Sequence, residues 1–235
     1  MGRFERVIVT CEHGGNRIPQ AYAALFLGNA SILKSHEGFD AGALALTVTL
    51  ARHLEARLHA ATISRLFVEL NRSPHHPMLF SEITSALSRD EKTRILAQYY
   101  YPYREAVEKA ITDISARGKG VLHLSVHTFA PILHGIKRQT DIGLLYDPSR
   151  DRERDFCAKW QTAFRTLYPS VRVRRNYPYR GTADGFTTYL RKRFPEDQYT
   201  AIELEINQQL AAGPPNRKRI LHRMVVETLD AAMKR

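Results

Sequence analysis

Val7-Ile-Val-Thr-Cys-Glu-His-Gly-Gly-Asn-Arg-Ile-Pro19 begins as an apolar run and stops abruptly at Glu12, His13 and two glycines. Val7, Ile8 and Val9 are β-branched and sit between polar ends, which reads as a buried strand, and Gly14-Gly15 break it at once. A carboxylate and an imidazole therefore stand at the carboxyl end of a strand. In open α/β sheets ligands bind there, because the loops leaving the strands surround a crevice. Taken alone, the stretch fits equally a turn in which Glu12 caps the next element and His13 is solvated.

The rest of the chain bounds what this stretch can belong to. With 235 residues, 43% of them hydrophobic, a large core can be buried, and one domain spanning residues 1–235 is expected. No run of about 18 apolar residues occurs, and the charged lead from Arg3 to Arg6 runs directly into the strand, so a soluble cytoplasmic protein without membrane contact is expected. Cys11 and Cys157 have neither metal-type spacing nor the density of a disulfide framework. The net charge of +11 suits either nucleic acid or small anions. Its clusters, Arg150 to Arg154, Arg172 to Arg175, Arg191 to Arg193 and Arg217 to Arg219, are spread over the C-terminal half without a recognition motif. Guanidinium groups bind carboxylates bidentately, so a small anionic substrate is the expected partner and nucleic acid is not.

In chain order, Ala21 to Leu27 reads as a short helix and Ala41 to Leu58 as a long amphipathic one, with Asp40 at its first turn as a cap or a functional acid. Ala61 to Leu70 alternates as a second strand containing Arg65 and ends at Asn71-Arg72; an arginine inside a strand is costly unless an anion meets it. His75 and His76 lie in a proline-flanked loop and read as surface. Ser88 and Glu91 form a capping box, and Pro102 sits in the first turn of a helix running to Arg117. The tyrosines of Tyr99-Tyr-Tyr-Pro-Tyr103 suit packing rather than substrate contact. Gly120 to Val126 is a third strand delivering His127. His123 lies about 13 Å from His127 at roughly 3.3 Å per residue, so the two do not share a metal, and His123 reads as a satisfied core histidine. Further strands are Asp141 to Tyr146, Val171 to Arg175 at an edge, and Thr200 to Asn207, which carries Glu203 and Glu205 on one face. Helices follow over Arg154 to Leu167, Asp184 to Arg193 and Ile220 to Met233. This alternation predicts a three-layer α/β/α sandwich around a mixed, largely parallel sheet.

Four of these strands end in groups that bind a metal or activate water: His13, Asn71 with Arg72, His127, and Glu205 with Asn207. A catalytic zinc ion takes three protein ligands from His, Asp or Glu and leaves a position for water, with a nearby carboxylate as general base.

Seven blocks, taken together and in order, resemble the N-formylglutamate amidohydrolase family: Cys11 to Pro19, Phe39-Asp-Ala-Gly-Ala43, Ser64 to Arg72, Val126-His-Thr-Phe-Ala-Pro131, Ile142-Gly-Leu-Leu-Tyr146, Asn176-Tyr-Pro-Tyr179 and Leu204-Glu-Ile-Asn207. That family is more distantly similar to zinc carboxypeptidases and aspartoacylase, whose Leu-Asn-Arg strand end has its counterpart in Leu70-Asn71-Arg72. The resemblance implies a phosphorylase/hydrolase-like, zinc-carboxypeptidase-related fold and one Zn2+. It also implies hydrolysis of an N-acyl amino acid such as N-formyl-L-glutamate, in amino-acid catabolism, by a monomer or small homo-oligomer. Carried over residue by residue, His13 and His127 are zinc ligands and Glu205 is the general base. Arg65 polarises the scissile carbonyl, Asn71 and Arg72 hold the substrate carboxylate, and Arg180, with Asn176 in the same turn, adds further binding. The carboxypeptidase relatives place a Glu ligand three positions after the first His, where this chain has Asn16. The third ligand then comes from elsewhere or is absent; the resemblance points to Asp40, an Asp that belongs to the formylglutamate family's own pattern, with Glu12 second. Another N-acyl amino acid or a peptide-type amide as substrate, and a non-catalytic anion-binding protein, are the alternatives to this reading.

Overall fold

The computed structural model describes residues 7–234; the charged lead at residues 3–6 lies outside them. In chain order the elements are β1 (Val7–Cys11), α1 (Ala30–Lys34), α2 (Ala43–His53), β2 (Arg57–Ala60), α3 (Glu82–Ser85), α4 (Arg89–Ile95), α5 (Tyr101–Ser115), β3 (Val121–Phe129), β4 (Ile132–Leu133), β5 (Ile136–Lys137), β6 (Ile142–Leu145), α6 (Asp151–Leu167), β7 (Val173–Arg175), α7 (Phe186–Arg193), β8 (Tyr199–Asn207), α8 (Gln208–Ala211) and α9 (Pro215–Met233). Six strands form one mixed sheet in the order β2-β1-β3-β8-β6-β7. The first four run parallel, and β6 with β7 runs antiparallel to them.

The period of two along β1 explains the layers. Val7, Val9 and Cys11 pack with α2, α6 and α9 on one face, while Ile8 packs with Val107, Ile111 and Leu190 from α5 and α7 on the other. Both faces are covered, so β1 is buried throughout, as strands of parallel sheets are. The expected sandwich and its mixed sheet are what the chain adopts. Among the described residues no helix is long and apolar enough to cross a membrane.

Two expected elements differ. The helix over residues 41–58 ends at His53, because Glu55 turns into a left-handed conformation (φ 48°) and releases Arg57 to Ala60 to pair with β1. The expected strand over residues 61–70 is instead a packed loop with one isolated bridge, between Arg17 and Ile63. Its alternation has another cause: Phe67, Val68 and Leu70 bury into a separate cluster with Phe26, Leu79, Ile95 and Tyr100, and a turn bond from Phe67 N to Ser64 O replaces a ladder. Arg65 is thus a loop residue. The capping box is half made: Ser88 Oγ accepts from Glu91 N (3.2 Å), but the Glu91 carboxylate accepts from Tyr22 and Arg94 rather than from the Ser88 amide.

Candidate active site

The strands deliver their polar ends to one cleft, which is lined by His13, Asp40, Arg65, Asn71, Arg72, His127, Thr128, Tyr179, Arg180, Ala183, Asp184, Glu203 and Glu205. His13 comes just after β1. His127 and Glu205 face each other directly across the parallel β3–β8 pair. Asp40 arrives from a loop that is pinned by the bond from its own amide to His13 O (2.9 Å). The next turn needs Gly42, which has φ 90° and presses against the Ala211 backbone, where any Cβ would collide. Gly42, not Asp40, is the N-cap residue of α2, so the Asp40 carboxylate is free for the cleft.

The two histidines are presented alike. His13 Nδ1 lies 3.3 Å and His127 Nδ1 2.9 Å from the same oxygen, Asp40 Oδ2, which also accepts from Thr128 N (3.2 Å). Their other ring nitrogens meet glutamates: His13 Nε2 is 2.5 Å from Glu69 Oε1 and His127 Nε2 is 3.1 Å from Glu12 Oε2. Glu69 is held in turn by Arg65 (2.5 and 2.8 Å) and Asn71 N (3.0 Å), and Glu12 by Ser125 Oγ and Tyr103 OH (2.8 Å each). Glu12 therefore stands behind His127, on the side away from Asp40, where it cannot share a ligand set with the two Nδ1 atoms. The possible ligand atoms that cluster are those of His13, Asp40 and His127. Asn16 is also turned elsewhere, donating to Leu33 O (3.0 Å).

Burial pushes the carboxyls of Glu12, Asp40 and Glu69 upward, but their partners outweigh it and hold all three well below the usual range: His127 for Glu12, both histidines for Asp40, and Arg65 with His13 for Glu69. Burial likewise opposes protonation of His127, and Asp40 and Glu12 reverse it. Glu205 behaves in the opposite way. Burial, reinforced by Asp40 and Glu203, raises its pKa to about 7, and its Oε2 is buried without a hydrogen-bond partner.

This donor set fits a divalent cation. His13, Asp40 and His127 each offer one ligand atom, all within 4.8 Å of one another. The two separations to Asp40 Oδ2, 3.3 and 2.9 Å, bring all three groups within reach of one small cation. Each neutral imidazole can donate only one proton, and the glutamates claim both Nε2 positions, leaving two Nδ1 lone pairs aimed into a space rich in buried carboxylates. A dication satisfies both the lone pairs and the excess negative charge.

The remaining expected residues distribute unevenly. Arg65 spends one edge on Glu69, and its Nη1 is 3.7 Å from Asp40 Oδ1. Asn71 accepts from Phe186 N (2.8 Å) at the start of α7, leaving its amide NH2 for the cleft. Arg72 donates one hydrogen bond to Asp184 O (2.5 Å), and Arg180 is an exposed wall residue. Asn176 does not line the cleft: its Oδ1 accepts from Tyr146 N and Gly181 N (3.0 and 3.1 Å), shaping the turn that carries Tyr179 and Arg180. His123 is a core residue, bonded to Thr10 and Tyr199, with a pKa lowered to about 4 by burial. Sequence reasoning missed Glu69, Ser125, Tyr103, Tyr179 and Asp184. Glu69 carried a usable signal: the cost that singled out Arg65 in an apolar run applied equally to a carboxylate four residues later.

A gene product of Agrobacterium tumefaciens superposes with a TM-score of 0.82 at 28% identity, covering 97% of this chain and 92% of that one. An N-formylglutamate amidohydrolase from Ralstonia eutropha superposes with a TM-score of 0.72 at 20% identity over the same shares. A metallo-carboxypeptidase from Burkholderia cenocepacia aligns over 97% of this chain and 56% of its own, at 15% identity and a TM-score of 0.43. Among curated proteins none matches. Residues 5–212 match the profile described as N-formylglutamate amidohydrolase, and the chain belongs to that family.

Proposed function

We propose that this single-domain amidohydrolase is zinc-dependent and cleaves the N-acyl bond of an acidic amino acid, with N-formyl-L-glutamate as substrate and formate and glutamate as products. The observation that carries the reading is the meeting of His13 Nδ1, Asp40 Oδ2 and His127 Nδ1 beside a desolvated, unpartnered Glu205 carboxylate. Zn2+ held by those three residues would supply Lewis acidity, lowering the pKa of a water and polarising the acyl carbonyl.

The chain's own groups account for the remaining steps. Glu205, buried and directly opposite His127 across the sheet, accepts a proton from the attacking water as the new C–O bond forms. It then passes that proton to the amide nitrogen as the C–N bond breaks, so glutamate leaves as the amine and formate keeps the water oxygen. Arg65 is permanently charged and braced by Glu69, and it shares the negative charge that develops on the carbonyl oxygen. Asn71 Nδ2, Arg72 and Arg180 line the same cleft and receive the substrate's carboxylates. The net charge of +11 draws such an anion in. Both cysteines are free and buried, in keeping with a cytoplasmic enzyme of amino-acid catabolism that works as a monomer or small homo-oligomer, without nucleic acid or membrane.

Elemental analysis combined with formate release from a panel of N-acyl amino acids, with and without chelator, tests the proposal. One zinc per chain and chelator-sensitive formate release from N-formyl-L-glutamate are expected. Purified protein that neither holds nor responds to metal would refute it.

A further inference from the structure

Arg104, on α5, is 5% exposed and has no carboxylate partner among the described residues. Its guanidinium carbon lies 4.1 Å from the ring centroid of Phe186, 4.7 Å from that of Tyr189 and 4.9 Å from that of Tyr100. Three ring faces thus take the place of a counter-ion around the guanidinium, whose Nη2 has no hydrogen-bond partner. Nη1 donates to Leu70 O (3.0 Å) and Arg72 O (3.4 Å), and Tyr100 OH donates to the same Arg72 oxygen (2.6 Å).

A buried cation with this environment is expensive and specific, and what it grips is informative. The two carbonyls flank Asn71, whose side chain accepts from the amide of Phe186, the ring most closely stacked on Arg104. One guanidinium therefore ties both walls of the cleft together: the segment presenting Asn71 and Arg72, and the start of α7. We infer that Arg104, assisted by Tyr100, is a positioning residue that fixes Asn71 and Arg72 in the geometry that receives the substrate carboxylate. The inference rests on the substrate-binding reading of that pair given above. It also gives the tyrosine-rich stretch a role beyond packing, since Tyr100 touches the substrate-binding segment directly.

The test uses Arg104→Lys, which keeps the charge but loses the fork, and Tyr100→Phe, which removes one hydroxyl. Both are compared with Arg72→Ala and combined with it. Readouts on the full zinc-loaded chain are metal content, melting temperature, kcat and KM for N-formyl-L-glutamate, and calorimetric binding of L-glutamate. Loss of a hydrogen bond from a charged donor predicts a KM about tenfold higher for Arg104→Lys, with kcat within about twofold and zinc unchanged. Because Arg104 acts through Asn71 and Arg72 together, its effect on KM and on L-glutamate binding should shrink, though not vanish, once Arg72 is already Ala. Tyr100→Phe should follow the same pattern with a smaller amplitude and an unchanged melting temperature. Full additivity with Arg72→Ala, or unchanged KM and binding in both single variants, would overturn the inference while leaving the role of Arg72 intact. If Arg72→Ala itself leaves KM and binding unchanged, or the wild-type chain binds neither compound, the parent reading fails and the inference with it.

Discussion

Replacing Glu205 by Gln should lower activity and, in the same molecule, reverse a pH-dependent weakness of the fold. The side chain is 6% exposed, and its pKa is raised from 4.5 to about 7 by burial first, with Asp40 and Glu203 adding to it against His127 and Arg65. A carboxyl whose folded-state pKa exceeds its unfolded value stabilises the fold fully below the unfolded pKa, and that contribution disappears as pH rises through the folded one. For metal-free protein the loss assignable to Glu205 between pH 5 and pH 8 is about 2–3 kcal/mol. The Gln variant titrates nothing at this position, while the other groups titrate in both proteins and largely cancel. Gln leaves a constant offset from its own buried amide, so the informative quantity is the change in the stability difference with pH. In a chain of this size each kcal/mol shifts the melting temperature by about 2–4 °C, so the variant should gain roughly 5–10 °C relative to wild type between pH 5 and pH 8. Thermal unfolding of both proteins in chelator at the two pH values measures this. The kcat of the zinc-loaded variant should fall by about 10²–10⁴, the usual contribution of a general base, with metal content intact. A stability difference independent of pH would show that Glu205 is not desolvated as described, and near-wild-type kcat would remove it from the proton-transfer step.

Glu12→Gln and Glu69→Gln should each weaken zinc binding by about 10–100-fold in a competition titration with a chromogenic chelator, because each fixes the ring of one histidine from behind; wild-type affinity in both would mean the rings orient themselves. His127→Ala and Asp40→Asn should abolish stoichiometric zinc by elemental analysis, and full retention in either would strike that residue from the ligand set. Arg180→Ala should raise KM for N-formyl-L-glutamate by about tenfold with kcat little changed, as expected when an exposed guanidinium contributes uniform binding; a fall in kcat at constant KM would instead place it at the reacting carbonyl.

The layers of this fold are legible because they rest on local pattern. Val7 to Val9, Gly120 to Val126 and Thr200 to Asn207 are continuous apolar or alternating runs, and a sheet covered on both faces produces such runs. Residues 61–70 have the same pattern for a different reason, since Phe67, Val68 and Leu70 fill a separate cluster, and periodicity does not distinguish a strand from a loop packed edge-on. The misreading had a consequence for the site. As a strand, the segment would turn Arg65 and Glu69 to the same face without bending them toward a common centre. As a loop anchored by Ser64 Oγ to Gly38 O (2.9 Å) and by Arg65 N to Gly38 O (3.3 Å), it carries both side chains against Asp40 and His13. Ser125 and Tyr103 were out of reach for a related reason: their relation to Glu12 spans 113 and 91 residues and exists only once β1, β3 and α5 are packed.

Asn16 and Asp40 are held by separate sets of contacts. Asn16 is committed to Leu33 O, on the segment that leads toward Asp40. Asp40 is fixed independently by His13 O, by Thr128 N and by the Gly42 turn, so its carboxylate reaches the two imidazoles without drawing on α2 for a cap. The charge balance then closes around it. Asp40 and Glu69 flank His13, Asp40 and Glu12 flank His127, and Glu205, pressed against the same group of anions with no donor of its own, becomes the carboxylate that holds its proton most tightly. Its basicity comes from burial first and then from Asp40 and Glu203 against the opposing pull of His127, and removing the Asp40 charge should lower the Glu205 pKa even though the two side chains share no hydrogen bond.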